Sequence, residues 1–380
     1  MSESALRRRA REARTWLFDS CFPLWAEHGL TGAGLFPEVL SLDHDELARD
    51  FTRVRVQARQ TYVFSEAWRL GWKRETAQRL AEAGVAILTG PALAPAGLPG
   101  RVLAADGSGL RDASADLYDT AFVLFALAEA ARGPVAPEAC LPAAARILQS
   151  LDRLAKDSVH GGYAETLPPP GQRLQNPHMH LLEACLSLTR ADPQADHLER
   201  AADIVHLFNT RFTAGEGGLL GERFQPDWSI PEGDAANIVE PGHQFEWVWL
   251  LHAYARAAGQ PVPEAMARLY AFATSTLDAA GRACQEVTRS GLPQDASRRT
   301  WPQTEALKAH LAMYELRGEE RFTAAACRSF DVLMDEFLTE DGGWIDHFAA
   351  DGSVLAKDMP ASTGYHVVLA FSELIRVMNA

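Results

Sequence analysis

Cysteine is scarce in this chain and follows no pattern. There are five, Cys21, Cys140, Cys185, Cys284 and Cys327, an odd number, widely spaced and without a CxxC pair. That spacing argues against a disulfide framework or a zinc site and suits reduced, mostly buried thiols in a cytoplasmic protein. Basic charge is also short: 36 Lys and Arg stand against 50 Asp and Glu, for a formal net charge of −14. Such acidity argues against a nucleic-acid backbone or an anionic membrane as partner. No apolar run approaches the roughly 18 residues that read as a membrane span. The first residues lack the apolar stretch of a secretory signal. Arg7, Arg8, Arg9 and Arg11 lead directly into Trp16, Leu17, Phe18, Phe22, Leu24 and Trp25, which predicts a first helix with a solvated basic end. No Gly-rich phosphate cradle is present.

What the chain has is apolar bulk and repetition. Hydrophobic residues fill 47% of its 380 positions, enough for a large core. Gly-rich turn signals recur at Asp106-Gly107-Ser108-Gly109, Gly161-Gly162-Tyr163, Gly217-Gly218-Leu219, Ala280-Gly281-Arg282 and Gly342-Gly343-Trp344. An apolar helical pattern follows each, at 116–131, 177–190, 241–258, 301–316 and 362–378, and an earlier one at 47–70 makes six. Six amphipathic patterns lie between them, at 3–28, 74–89, 138–156, 196–212, 263–279 and 321–338. Their Ala, Arg and Glu content predicts one solvated face. The first set carries bulk on more sides, as in Phe122-Val123-Leu124-Phe125-Ala126-Leu127, and predicts burial.

Landmarks near the starts of the apolar set are Arg59, Tyr118, His180, His243, Glu305 and His366, at intervals of 59, 62, 63, 62 and 61 residues. A period near 60, with one buried and one exposed helix per unit, predicts an all-α fold. It is the arithmetic of an (α/α)6 barrel, twelve helices in two concentric rings. In such a ring the loops before the inner helices gather at one end, and landmarks at equal register converge on one pocket. The most Pro- and Gly-rich stretch, residues 90–100, falls inside the second repeat and reads as a loop, so a single domain over 1–380 is expected.

His180 and His243 each open a His-x-x-Glu at the start of an apolar helix, with Glu183 and Glu246 on the same face. His366 follows Gly364-Tyr365, and Trp301 precedes Glu305 by one turn. One histidine in such a place is ordinarily structural; three at matching register are not. Histidines, an arginine, carboxylates and aromatics at one end make a polar pocket with stacking faces, suited to a small neutral ligand with many hydroxyls. Metal ligation by the His-x-x-Glu pairs and glycoside hydrolysis by paired carboxylates are the competing chemistries. Arg53, Arg55, Arg298 and Arg299 offer an anionic group a partner, or are surface ion pairs. His178 reads as a support beside the pocket, and His160, His206, His252, His310 and His347 read as structural.

Four motifs then carry a family resemblance. They are Asn-x-x-Met-His-x-x-Glu-Ala from Asn176 to Ala184, Pro-Gly-His-x-x-Glu-Trp from Pro241 to Trp247, Arg-x-Trp-Pro-x-x-Glu-Ala from Arg299 to Ala306, and Tyr365-His366. Together, in order along nearly the whole chain, they resemble the N-acylglucosamine 2-epimerase superfamily, and look closest to its mannose isomerase branch. The resemblance implies the same (α/α)6 barrel. It implies a pocket of Arg59, Tyr118, Asn176, His180, His243, Glu246, Trp301 and His366, with His243 and His366 as the acid/base pair. The expected reaction is metal-independent interconversion of D-mannose and D-fructose through a cis-enediolate. His366 opens the sugar ring and His243 takes the C2 proton. Glu246 orients His243 or shuttles protons between O1 and O2, and Arg59 and His180 stabilise the enediolate. Glu305 is expected among the substrate-binding residues. No cofactor is required, and the partner is a free monosaccharide. Sugar 2-epimerisation is the alternative outcome, and a non-catalytic sugar-binding protein the less favoured one. The last hairpin carries a single aromatic, Trp344, which favours one sugar ring over two. A monomer or a homodimer fits equally.

Overall fold

The computed structural model describes residues 3–233 and 236–379. Its helices are α1 (Glu3–Trp16), α2 (Phe22–His28), α3 (Val54–Leu70), α4 (Arg74–Thr89), α5 (Leu117–Ala131), α6 (Pro137–Leu154), α7 (Gln175–Ala191) and α8 (His197–Leu207), then α9 (Pro241–Ala258), α10 (Ala265–Ser275), α11 (Thr300–Arg317), α12 (Glu320–Val332) and α13 (Gly364–Met378). A π turn at Leu17–Cys21 joins α1 and α2 into one rod. Twelve rods result among the described residues, in the two expected sets.

The sorting follows from side-chain pattern. In α6 the buried residues are Cys140, Ala143, Ala144, Ile147, Leu148 and Leu151, the i, i+3, i+4, i+7 stripe of an outer helix. Fully burying Ile147 or Leu151 is worth roughly 1.5–3 kcal/mol each. In α5, by contrast, all positions from Asp119 to Ala130 are buried, as an inner helix requires. The inner helices pack in the order α3, α5, α7, α9, α11, α13, and α13 packs back on α3 to close the ring. The rods α1, α4, α6, α8, α10 and α12 lie outside, against α13, α3, α5, α7, α9 and α11. This is an (α/α)6 barrel. Among the described residues no helix is long and apolar enough to cross a membrane. All five cysteines are free, and only Cys284 is not buried.

Short backbone pairings fix where the inner helices begin. Phe51–Arg53, just before α3, pairs with Val102–Ala104 in the loop leading to α5. Asp116 bridges to Thr166. Arg173–Leu174 pairs with Arg223–Phe224, Ile238–Val239 with the strand at Val287, and Arg298–Arg299 with His347–Phe348. Met359–Pro360, before α13, pairs with Val39–Leu40, before α3, and completes the circle. Each inner helix is thus tied at its start to the loop entering the next.

The main departure from expectation lies at α3. The pattern predicts helix from residue 47, but Leu47–Asp50 is loop and Phe51–Arg53 is strand. Glu38, from outside the local sequence, accepts from the Arg53 backbone N–H at 2.8 Å and the Thr52 hydroxyl at 3.1 Å. Those bonds and the strand pairing hold the backbone extended until Val54. The other boundaries agree within a few residues.

The Gly-rich segments are the turns they were read as. At Gly342 the backbone has φ 99°, and an added Cβ would lie 2.4 Å from the Ser20 carbonyl carbon. Neither atom belongs to a flexible side chain, so nothing can yield. Gly342→Ala is therefore expected to cost at least about 2 kcal/mol of stability, read as a lower midpoint in urea denaturation with unchanged m.

Candidate active site

The starts of the six inner helices surround a cavity of about 350 Å3. Free N–H groups and helix dipoles at that mouth favour negative charge and disfavour a cationic imidazole. The walls bring together Arg59, Tyr118, Asn176, His180, His243, Glu246, Trp301 and His366, as the sequence predicted. Glu305 is the exception. It is fully buried behind His366 and does not line the cavity. Of the remaining histidines, His178 accepts from the Tyr163 N–H through Nε2 at 3.0 Å, clipping the Gly161–Tyr163 turn onto α7. It supports the wall from outside, and His160, His206, His252, His310 and His347 do not line the cavity.

The two central histidines are built alike and charged differently. His243 Nδ1 lies 2.8 Å from Glu222 Oε2 and 3.7 Å from Glu240 Oε2. Burial works against a charge on this ring, but the carboxylates of Glu240 and Glu222 outweigh it and raise the imidazole to about 10. His366 Nδ1 lies 3.0 Å from Glu305 Oε1. Burial, with the positive charges of Arg59 and Lys308, pushes its imidazole well below the usual 6.5. These shifts favour at neutral pH a cationic His243, with hydrogen on both ring nitrogens, and a neutral His366, with one. A carboxylate can only accept, so each Nδ1 carries the hydrogen and each Nε2 is left to the cavity. Trp301 sits against both rings, with centroids 5.0 Å from His243 and 6.0 Å from His366. It fits there because residue 242 is glycine: a Cβ would stand 2.4 Å from the indole.

The rest of the wall is polar and partly unpartnered. Arg59 donates to the Tyr118 hydroxyl at 2.7 Å and to the Ser362 carbonyl at 3.2 Å, its guanidinium packed 4.1 Å from the Phe122 ring. His180 directs Nδ1 to Glu183 Oε2 at 3.2 Å, and burial lowers its pKa, so its Nε2 is an acceptor. Asn176 Oδ1 and Glu246 Oε1 are buried without a hydrogen-bond partner. Burial, reinforced by Glu305, raises Glu246 well above the carboxylate range, leaving a neutral carboxyl that both donates and accepts. That is the inventory a sugar hydroxyl needs.

Two groups have ligand atoms close enough for a metal ion, His180 with Glu183 and Glu246, and His243 with Glu222 and Glu240. In both, the histidine nitrogen nearest the carboxylates is Nδ1, within hydrogen-bond distance of one of them, so an ion there would have to displace the hydrogen of that contact.

A model of the N-acylglucosamine 2-epimerase (GlcNAc 2-epimerase) family matches residues 34–370. The chain belongs to this family. A protein of Rhizobium meliloti named mannose-6-phosphate isomerase is 37% identical, over 96% of each chain. A D-mannose isomerase of Thermobifida fusca is 30% identical, over 70% of each chain. The solved cellobiose 2-epimerase of Spirochaeta thermophila superposes with a TM-score of 0.87 at 25% identity, covering 98% of this chain and 97% of its own. The family and these relatives indicate a sugar isomerase or epimerase acting on a small-molecule sugar.

Within this epimerase-family pocket, one expected role belongs to another residue. Glu246 is expected to orient His243 or to shuttle protons between O1 and O2; the first does not hold, since its carboxylate lies 3.9 Å from His180 Nδ1. Glu222 holds His243 instead. It lies in a loop 21 residues upstream, outside any helical register, and only its place after the Gly217-Gly218 turn marked that region at all. Gly242 supplies a direct check on this arrangement. Gly242→Ala should displace Trp301 by about an ångström and lower kcat/KM by roughly 10- to 100-fold, with thermal melting close to wild type.

Proposed function

We propose that this chain is an aldose–ketose isomerase that interconverts D-mannose and D-fructose by histidine acid/base catalysis. The reading rests on one observation: two buried histidines pack against Trp301, each held by a carboxylate at Nδ1, in surroundings that raise one imidazole and lower the other. Ring opening needs a proton delivered to O5 and one removed from O1. His243 has the proton to give and His366 the vacancy to receive one, which exchanges the part expected of His366 at the ring oxygen. That step leaves His243 neutral, ready to take the C2 proton, its basicity raised by Glu222 and Glu240. The C2–H electrons move to O1 and give a cis-enediolate. The Arg59 charge and the converging helix N-termini offset its negative charge. Neutral Glu246 passes a proton to O1 while taking the one on O2. His243 returns its proton to C1, and C2 becomes the ketone. Ring closure reverses the first transfers and restores both histidines. His180 Nε2 and Asn176 Oδ1 accept sugar hydroxyls.

Several features support a small uncharged substrate. The cavity lies near the bottom of the roughly 300–1,000 Å3 range of ligand pockets. The nearby arginines are already engaged: Arg53 with Glu38, Arg55 with Asp119 at 2.7 Å, and Arg299 with Asp346 at 2.7 Å. The Thermobifida fusca relative named D-mannose isomerase agrees with this reading, whereas the Rhizobium meliloti relative is named for the 6-phosphate. The runner-up is 2-epimerisation, favoured by the likeness to a cellobiose 2-epimerase. It needs the C2 proton returned from the opposite face, a part that would fall to His366, the other histidine against Trp301.

Incubation with D-mannose in heavy water, with mannose 6-phosphate in parallel, separates these outcomes. Deuterated fructose from mannose is expected; deuterated glucose would make the enzyme an epimerase, and turnover of the phosphate alone would move the substrate class. His243→Ala and His366→Ala should each lose at least about 1,000-fold in kcat while staying folded; near wild-type turnover in either sinks the assignment.

The pH profile tests the protonation states separately. kcat/KM should be lost as pH falls through the depressed pKa of His366, because its accepting form disappears. It should be lost again as pH rises through about 10, because His243 loses the proton it donates. Glu222→Gln removes a carboxylate that raises His243, so the alkaline limb should move to lower pH while the acid limb stays.

A further inference from the structure

The mechanism uses the cavity side of His366 and leaves the group behind it unexplained. Lys308 is completely buried in α11, one turn beyond Glu305. Its Nζ lies 2.7 Å from Glu305 Oε2, and the other oxygen of that carboxylate is 3.0 Å from His366 Nδ1. The ammonium also rests 4.1 Å over the Trp249 ring. Stripping a lysine of water costs several kcal/mol, and an apolar side chain would fill the same space without that cost. Glu305 is the largest influence that offsets this cost, and nearby carboxylates keep the lysine charged.

We propose that Lys308 is a positioning residue for proton transfer at His366, acting through Glu305. In this Lys308–Glu305–His366 relay the carboxylate keeps the imidazole hydrogen on Nδ1 and Nε2 open to the sugar. The inference rests on the reading that His366 exchanges a proton with the substrate. While ionised, Glu305 can only accept, which keeps the ring hydrogen on Nδ1; protonated, it can also donate and no longer fixes the tautomer. Burial drives it toward the protonated form, and Lys308 is the largest influence opposing that drive. Other titratable groups face the relay: Glu246 and His243 from α9, His180 and Glu183 from α7, and Arg59 from α3. Tyr118 of α5 accepts from Arg59 and packs on the His180 ring. Among the described residues only Lys308 and His366 form ion pairs with Glu305. Without the ammonium, Glu305 takes up a proton, becomes a donor to Nδ1, and moves the ring hydrogen to Nε2. A histidine in that tautomer cannot take the O1 proton.

The test is Lys308→Met, followed by steady-state kinetics and by 15N NMR of the His366 tautomer in the free protein. At pH 7 kcat should fall roughly 100-fold with KM little changed, and recover as rising pH ionises Glu305. The tautomer should change from Nδ1–H to Nε2–H. A folded variant with wild-type kcat, or with a uniform loss at every pH and an unchanged tautomer, overturns the proposal. Should Lys308→Met fail to fold, Lys308→Gln removes the charge while keeping a polar group at Glu305, and the same kinetic and tautomer outcomes decide. The tautomer needs no substrate, so a failure of mannose turnover in the wild type strikes the functional reading and leaves this measurement standing.

Discussion

The common starting plane of the inner helices is the constraint on which the rest depends. Each inner helix is tied, by a short strand pair or a single bridge, to the loop that enters its neighbour, and the Met359–Pro360 pairing with Val39–Leu40 closes the circle. A helix slipped by one residue would rotate its side chains by about 100°, so the circle fixes which face each first turn shows to the axis. It also gathers the orphan N–H groups of all the inner helices at one mouth. Side chains nearly 60 residues apart in sequence thereby become neighbours around about 350 Å3.

That mouth has two electrostatic halves. Helix N-termini and Arg59 make it favourable to a developing oxyanion, while buried carboxylates hold the histidines. The same type of contact, carboxylate to Nδ1, has opposite results at the two sites because the surroundings differ. His243 faces both Glu222 and Glu240. His366 has Glu305, whose charge is shared with Lys308 2.7 Å away, and Arg59 nearby. One imidazole is thereby raised and the other lowered. Glu246, buried among other carboxylates, is left neutral and able to do both. Trp301 fixes the spacing between the rings, and it can do so only over a glycine.

Much of this was legible in the sequence. Helix count, the sorting into inner and outer sets, and the convergence of His180, His243 and His366 follow from hydrophobic period and register. These are local properties repeated six times, which is why they survive without a structure. The start of α3 was misplaced because Glu38 and the strand at Val102–Ala104 act on it from a distance. Glu305 was given a place at the substrate because its register matches the other landmarks; its side chain goes instead to His366 and Lys308. Glu222 was missed because a loop residue has no period to betray it.

The sequence by itself determined the barrel, the end at which its polar landmarks converge, and most of the residues that line the cavity there. Apolar periodicity decides which face of a helix leaves water, and motif order decides which residues arrive together. Only the tertiary structure decided who holds whom: Glu222 on His243, Glu305 on His366, Lys308 on Glu305. The reason is physical. A carboxylate's partner and protonation state depend on distances of about 3 Å and on the loss of water around it, and neither exists until the ring has closed.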